Sequence, residues 1–416
     1  MTTTINNEHK KLNVPNLRFP EFQGEWEKFT FDEIAQYKKG PFGSALKKDL
    51  FVPQSENAIK VYEQQNAIKK DWTLSRYYIT KDYFNTYMKQ FVAKAGDLIV
   101  SCAGTIGEVY ELPKDAEEGV FNQALMRVRV NNEIVNKEIF ITVFSSMIDK
   151  FSKIYSNGSA IKNIPPFADL KRTQVYLPCK EEQIVIAQLL RSLDERIATQ
   201  NKIIDKLQSL IKGLNNHLCQ QHGNEIETSF ADLGVSYSGL SGKTAADFGS
   251  GKPFITYLNV YSNNVIDETS YQYVRMGNNE KQSIVRYGDV LFTLSSETPE
   301  EVGIGSVYLG NQEVYLNSFC FGIHITNTQK SFSPYLSYYI STTQFRKFIY
   351  PFAQGSTRFN LCKADFEKAT IKLPTLENQE RIYKALKSLS DKIMVEKATL
   401  EQYSRQKQYL LRQMFI

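Results

Sequence analysis

Two clusters of basic, amide and aromatic side chains carry the chemistry of this sequence. The first holds Lys38, Lys39, Lys47, Lys48, Tyr62, Gln64, Gln65, Asn66, Lys69, Lys70 and Arg76. The second holds Lys243, Tyr257, Asn259, Tyr261, Asn263 and Arg358. Glutamine and asparagine pair bidentately with adenine, whereas arginine and lysine read guanine or hold phosphates. Glycines nearby, such as Gly40, let a backbone approach a phosphate closely. The expected chemistry is recognition of nucleic acid, although each residue taken singly also fits an ordinary solvated loop.

Bond-breaking chemistry finds no comparable pattern. Asn163-Ile164-Pro165-Pro166-Phe167 approaches an Asn-Pro-Pro-Phe loop, which holds an amine for methyl transfer. The Asn amide must directly precede the first proline there, and Ile164 displaces it, so a turn is expected. Gly242-Lys243-Thr244 lacks the glycine five positions upstream that a phosphate-binding loop needs; position 237 is Tyr. The histidines His9, His217, His222 and His324 form no ligand cluster, and the five cysteines contain no C-x-x-C pair. No catalytic residue and no metal site is expected.

The elements that position the two clusters come as a duplication. Leu177-Pro178 with Gln183 recurs as Leu373-Pro374 with Gln379, 196 residues on. Upstream, Gly40 matches Gly239, Gly96-Asp97 matches Gly288-Asp289, and Asn122 matches Asn317. Gly158-Ser159 matches Gly355-Ser356, and Ile59–Tyr62 matches Ile255–Leu258. The period exceeds the roughly 20–50 residues of a solenoid. One scaffold, used twice with different loops, suits two readers of two half-sites.

Each copy ends in a long helical segment. Ile186, Leu190, Leu193, Ile197, Gln200, Ile204, Leu207, Ile211 and Leu214 alternate four and three apart, the 3.5-residue period of a coiled-coil seam. The second seam holds Ile382, Leu386, Leu389, Ile393, Glu396, Leu400, Tyr403 and Leu410. Gln200 and Glu396 occupy the same interior place, either as a tolerated interruption or as a polar layer that fixes register. The fold class expected is α+β: two globular α/β domains in pseudo-two-fold arrangement, joined by two long antiparallel coiled-coil helices. The expected blocks are a tail at 1–14, domains at 15–176 and 225–372, and helical spacers at 177–222 and 373–416.

A net charge of +5 permits nucleic-acid binding without requiring it. No apolar run approaches the ~20 residues of a membrane helix, and scattered cysteines fit a reducing cytoplasm.

The duplicated Leu-Pro-x-x-x-x-Gln helix starts, the Gly-Asp-Leu-Ile and Gly-Asp-Val-Leu strand starts, and Gly355-Ser356-Thr357-Arg358 resemble the DNA-specificity subunit of Type I restriction–modification systems. The likeness covers nearly the whole chain. It implies two target-recognition domains that read a bipartite, asymmetric site in double-stranded DNA, with the helix pair setting the unread gap. It also implies a chain without catalysis or cofactor of its own. Two adenine-modification subunits would bring S-adenosylmethionine; two restriction subunits, where present, would bring ATP and Mg2+ chemistry. The first copy departs from the pattern: Ala160-Ile161-Lys162 replaces Thr357-Arg358-Phe359. The alternatives are a single-chain DNA methyltransferase and a coiled-coil adaptor that binds proteins.

Overall fold

The computed structural model describes residues 13–155, 164, 166–222, 225–277 and 280–416. Residues 1–12 of the expected tail, the segment from Gly158 through Asn163, and Pro165 lie outside the described residues. The chain forms two compact units, Met1–Ile197 with Gln402–Ile416, and Ala198–Glu401.

The first unit opens with strand Glu27–Thr30, paired antiparallel with Gln174–Leu177. Its central antiparallel sheet runs Ala35–Lys39, Leu125–Val130, Leu98–Ser101, Val109–Glu111. A second sheet joins Tyr78–Thr80, Ala58–Tyr62, Gly119–Phe121 and Val92–Ala93, with the middle pair parallel. Helix Lys137–Tyr155 contributes Phe140 and Phe144 to a core shared with Phe31, Leu98 and Val128. Burial of such aromatics is worth roughly 2–3 kcal/mol each.

The second unit repeats this plan. Ile226–Ser229 pairs with Thr370–Leu373, and the central sheet runs Gly234–Ser238, Cys320–Ile325, Val290–Thr293, Gly305–Val307. Phe248–Ile255 pairs with Gln272–Val274 and, in parallel, with Tyr315–Leu316. Two short helices, Ser333–Tyr339 and Thr343–Ile349, stand where the first unit has one long helix.

The matched residues turn out to be the ones the backbone cannot spare. A Cβ on Gly40 would lie 1.9 Å from the Asn122 carbonyl oxygen, and one on Gly239 would lie 2.0 Å from that of Asn317. Gly96 and Gly288 hold φ of +85° and +86°, open to glycine at no steric cost. Asp97 and Asp289 then close those turns by accepting from the Lys94 and Arg286 amides at 3.1 and 2.8 Å.

One match shifts by three residues. Asn122 N donates to the Tyr62 carbonyl and Asn317 N to the Ile255 carbonyl, each at 3.0 Å. Tyr62 therefore corresponds to Ile255, not to Leu258. Directly after each strand a short helix starts, Gln64–Lys69 in one unit and Tyr257–Ser262 in the other. A strand continuing to Leu258 is excluded, because Thr256 caps that helix by accepting from Asn259 N at 3.2 Å.

The long helices run Lys180–His222 and Leu376–Gln413. Gln183 clamps the start of the first: its Nε2 donates to Pro178 O at 2.9 Å and Ile134 O at 3.0 Å, and its Oε1 accepts from Asn136 N at 2.6 Å. Gln379 repeats this with Pro374 O at 2.8 Å, Lys330 O at 3.0 Å and Phe332 N at 2.8 Å. In the first unit Ile186 and Leu190 pack in one core with Leu410 and Met414, and Lys407 pairs with Asp194. In the second, Ile382 and Leu386 share a core with Ile211 and Leu214, while Gln200 bonds Glu396. Numbers rise on one helix as they fall on the other, so within each unit the helices are antiparallel. Leu193, Gln200 and Ile204 are buried; Ile197, Leu207, Leu389, Ile393, Glu396, Leu400 and Tyr403 are half-buried. Among the described residues no helix is long and apolar enough to cross a membrane.

Candidate nucleic-acid interface

In each unit four segments meet at one end of the central sheet. In the first, Gly40 N donates to Leu125 O at 2.9 Å, which seats the glycine loop on the Asn122 turn. Asn122 N ties that turn to Tyr62, and Cys102 N reaches Ala124 O at 2.8 Å. Gln64 Nε2, on the short helix, donates to the carbonyls of Ala103 and Thr105. The second unit makes the same joints. Gly239 N reaches Cys320 O at 3.2 Å, Leu294 N reaches Phe319 O at 2.9 Å, and the Tyr257 hydroxyl donates to Ser295 O at 2.9 Å.

The structure sorts the expected readers into two groups. Lys39, Lys47, Lys48, Gln65, Lys69, Arg76 and Arg358 face solvent. Arg76 lies over the Tyr77 ring at 4.5 Å, and Tyr77 stacks on Phe51 at 4.3 Å. Phe51 N bonds Lys48 O at 3.2 Å, so the stack holds Arg76 beside the Lys47-Lys48 corner. In the second unit, Arg358 precedes strand Phe359–Leu361, which pairs with Ser295–Ser296 next to the Leu294 joint.

The other group is tied to the scaffold; for its buried members this corrects the expectation that they contact nucleic acid, while Lys70 stays exposed but paired. Tyr62, Asn66 and Asn259 are buried. The Asn66 amide donates to Asp71 O at 2.9 Å and Leu74 O at 2.7 Å while accepting from Glu63 N at 2.8 Å. Asn259 does the same with Asp267 O and N at 2.9 and 3.0 Å. A buried amide whose nitrogen and oxygen both hold protein partners is not free to turn its edge to a base. Tyr62 donates to Glu117 O, and burial pushes its hydroxyl pKa up. The side chain of Lys243 is 9% exposed and bound to Glu280 and Arg275 O. Lys70 is held by Glu108 and Val109 O, and Lys38 by Gln90 at 2.9 Å. Half-buried Tyr261 donates to Glu301 at 2.8 Å, and Asn263 donates to Asn259 O at 3.0 Å.

Residues that composition did not single out complete the junctions. Phe42, Gln123, Gly104 and Thr105 face solvent in the first unit, as do Leu258, Ser318 and Phe319 in the second. The signal was positional: Phe42 sits between Gly40 and Gly43, and Gln123 and Ser318 each follow a matched asparagine.

One constellation has the residue types of acid–base chemistry. The Tyr237 hydroxyl donates to Asp289 at 2.7 Å, His324 Nδ1 lies 2.8 Å from the same carboxylate, and the two rings stack at 4.2 Å. Burial raises the Asp289 carboxyl above its ordinary range. The first unit fills the matching place with the Asp97–Arg129 ion pair at 2.7 Å. A site that takes arginine in one copy and histidine in the other serves to pin the turn at Gly96 or Gly288. Among the described residues no group of three or more His, Cys, Asp or Glu converges as metal ligands would.

The model of the Type I restriction modification DNA specificity domain matches residues 23–209 and again 243–403. The Type I restriction enzyme MjaVIII specificity subunit of Methanocaldococcus jannaschii is 21% identical, over 95% of this chain and 92% of its own length. The putative MjaX specificity subunit of the same organism is 24% identical over 58% of each chain. Among solved structures, the S subunit of a Type I restriction-modification system from M. genitalium aligns over 97% of this chain and 99% of its own, with a TM-score of 0.51 and 16% identity. A chain from a Type I system studied for complex assembly and conformational transition aligns over 93% and 96%, with a TM-score of 0.59 and 16% identity.

Proposed function

The chain belongs to the Type I restriction–modification DNA specificity family and is a specificity subunit, and from that premise we propose how it divides its labour. Each unit reads one half of a bipartite, asymmetric site in double-stranded DNA, and the helix pair sets the length of the unread gap. One observation carries this reading. The two junctions keep the same joints at Gly40 and Gly239, Asn122 and Asn317, yet present Phe42, Gln65 and Gln123 in one unit and Leu258, Phe319 and Arg358 in the other.

The chain itself makes and breaks no bonds. Two adenine-modification subunits dock on it and supply S-adenosylmethionine in the cytoplasm; restriction subunits add ATP- and Mg2+-dependent cleavage. Solvent-facing Lys39, Lys47, Lys48, Lys69, Arg76 and Arg358 hold phosphates, which fixes register without reading sequence.

The test is to co-express the chain with its modification subunit and map methylated adenines across the host genome. Two half-sites separated by a fixed gap are expected, with duplex affinity falling steeply as salt rises. Tight S-adenosylmethionine binding to the isolated chain in equilibrium dialysis would instead make it a single-chain methyltransferase. Salt-independent DNA affinity would make it a protein adaptor.

A further inference from the structure

Phe42 is 89% exposed and Phe319 60% exposed, although each stands on a junction whose backbone is closely bonded. Their places are related. Ala124 N donates to the Asn122 side-chain oxygen at 3.0 Å, and Phe319 N donates to that of Asn317 at 2.9 Å, so Phe319 stands where the first unit has Ala124. Phe42 lies two residues beyond Gly40, where the second unit has Ser241 two residues beyond Gly239. The glycine loop and the asparagine turn lie against each other, since a Cβ on Gly43 would meet the Gln123 side chain at 2.4 Å. Each junction thus presents one free phenylalanine, from the glycine loop in one unit and from the asparagine turn in the other.

A ring exposed this far leaves apolar surface in water without stabilising the fold. What would cover it must be flat and apolar on its face and negative around it. The glycine loop is flanked by exposed Lys39, Lys47 and Lys48; the second junction has exposed Arg358, with Glu297 also exposed. A methyl group on a base edge covers only part of a ring, whereas a base covers a whole face. Apolar side chains that wedge against a base step are a known way of exchanging stacking for contact.

We propose that Phe42 and Phe319 are base-stacking wedges, one for each half-site. This rests on the half-site reading above and adds to it the side chain that opens the base step. Because the rings come from different segments of equivalent junctions, the two units open steps at different places within their half-sites. The asymmetry of the target then has a source beyond the choice of hydrogen-bonding groups.

The experiment uses the full chain assembled with its modification subunits and duplexes carrying 2-aminopurine at each purine position of the mapped half-sites. Unstacking raises the fluorescence of this base. Wild type should brighten one step in each half-site. Phe42→Ala should abolish the first signal only and weaken binding about tenfold, Phe319→Ala the second only, and Phe42→Tyr should restore the first. Both rings are exposed, so both variants should keep the wild-type melting temperature. Bound wild type without a bright step, or alanine variants that keep both, overturns the proposal while salt-dependent binding leaves half-site reading standing. An alanine variant that loses modification subunits instead of the bright step assigns the ring to a protein contact and also overturns it. Absence of salt-dependent binding by the wild-type assembly removes the half-site reading itself, and the wedges with it.

Discussion

The Gln200 carboxamide donates to the backbone carbonyl of Glu396 at 3.1 Å and also meets the Glu396 carboxylate. Gln200 is 7% exposed, so this is a polar layer within an otherwise apolar seam. Lys392 and then Gln200 hold the Glu396 carboxyl below its ordinary range. A buried polar contact of this kind favours one register, since sliding either helix strands both groups.

Replacing Gln200 and Glu396 together by leucine should leave the helices folded, with a melting temperature equal to or above wild type. Removing both partners strands no buried group, and the new leucines bury apolar area. The loss should appear in register: methylation mapping should find more than one gap length. Gln200→Leu alone should lower the urea midpoint more than the double change, because Glu396 loses one of its two donors while its carboxylate stays in the seam.

Gln183→Leu and Gln379→Leu should each be among the more damaging single changes. Either one leaves two carbonyls and one amide without their side-chain partner at a helix start. At about 1 kcal/mol or more per group, roughly 3 kcal/mol is expected in chemical denaturation. Equal losses from the two variants would match the repeated geometry; a loss from one alone would not.

Asn66→Ala and Asn259→Ala should lower the melting temperature, at a cost of about 2–3 kcal/mol, without changing sequence preference in the folded fraction. Arg358→Ala should do the opposite. It should leave stability alone, weaken binding to all duplexes alike, and reduce the slope of log affinity against log salt by about 1. Calorimetry beside a salt titration separates the two behaviours.

The contrast shows what the sequence can display. The seam was legible because burial on a helix leaves a periodic trace, and Gln183 with Gln379 because both neighbours and spacing repeat. Asn66 and Asn259 were legible as important but not as inward-facing. An amide that satisfies a turn and an amide that reads adenine have the same composition and the same loop context. The three-residue shift at Tyr62 was hidden because Gln64–Lys69 and Tyr257–Ser262 share only that asparagine. Phe42 and Phe319 were hidden for a different reason: one follows the matched glycine and the other the matched asparagine, so no alignment of the copies pairs them.

Acid should test the second unit through Glu280. The Gly277 amide, Lys243 and Gln282 bind its carboxylate and hold its pKa at about 2, against 4.5 ordinarily. A depressed carboxyl contributes stability that is fully present above pH 4.5 and is lost as pH falls toward 2. Glu280→Gln should therefore flatten the acid limb of stability between those values.

The central claim is that one unit reads one half-site, and a domain exchange tests it most directly. Residues 225–372 are replaced by the matching segment of another specificity subunit, and methylated adenines are mapped by single-molecule sequencing. The account predicts a new sequence in one half-site, with the other half-site and the gap unchanged. A change in both half-sites, or in neither, would contradict it.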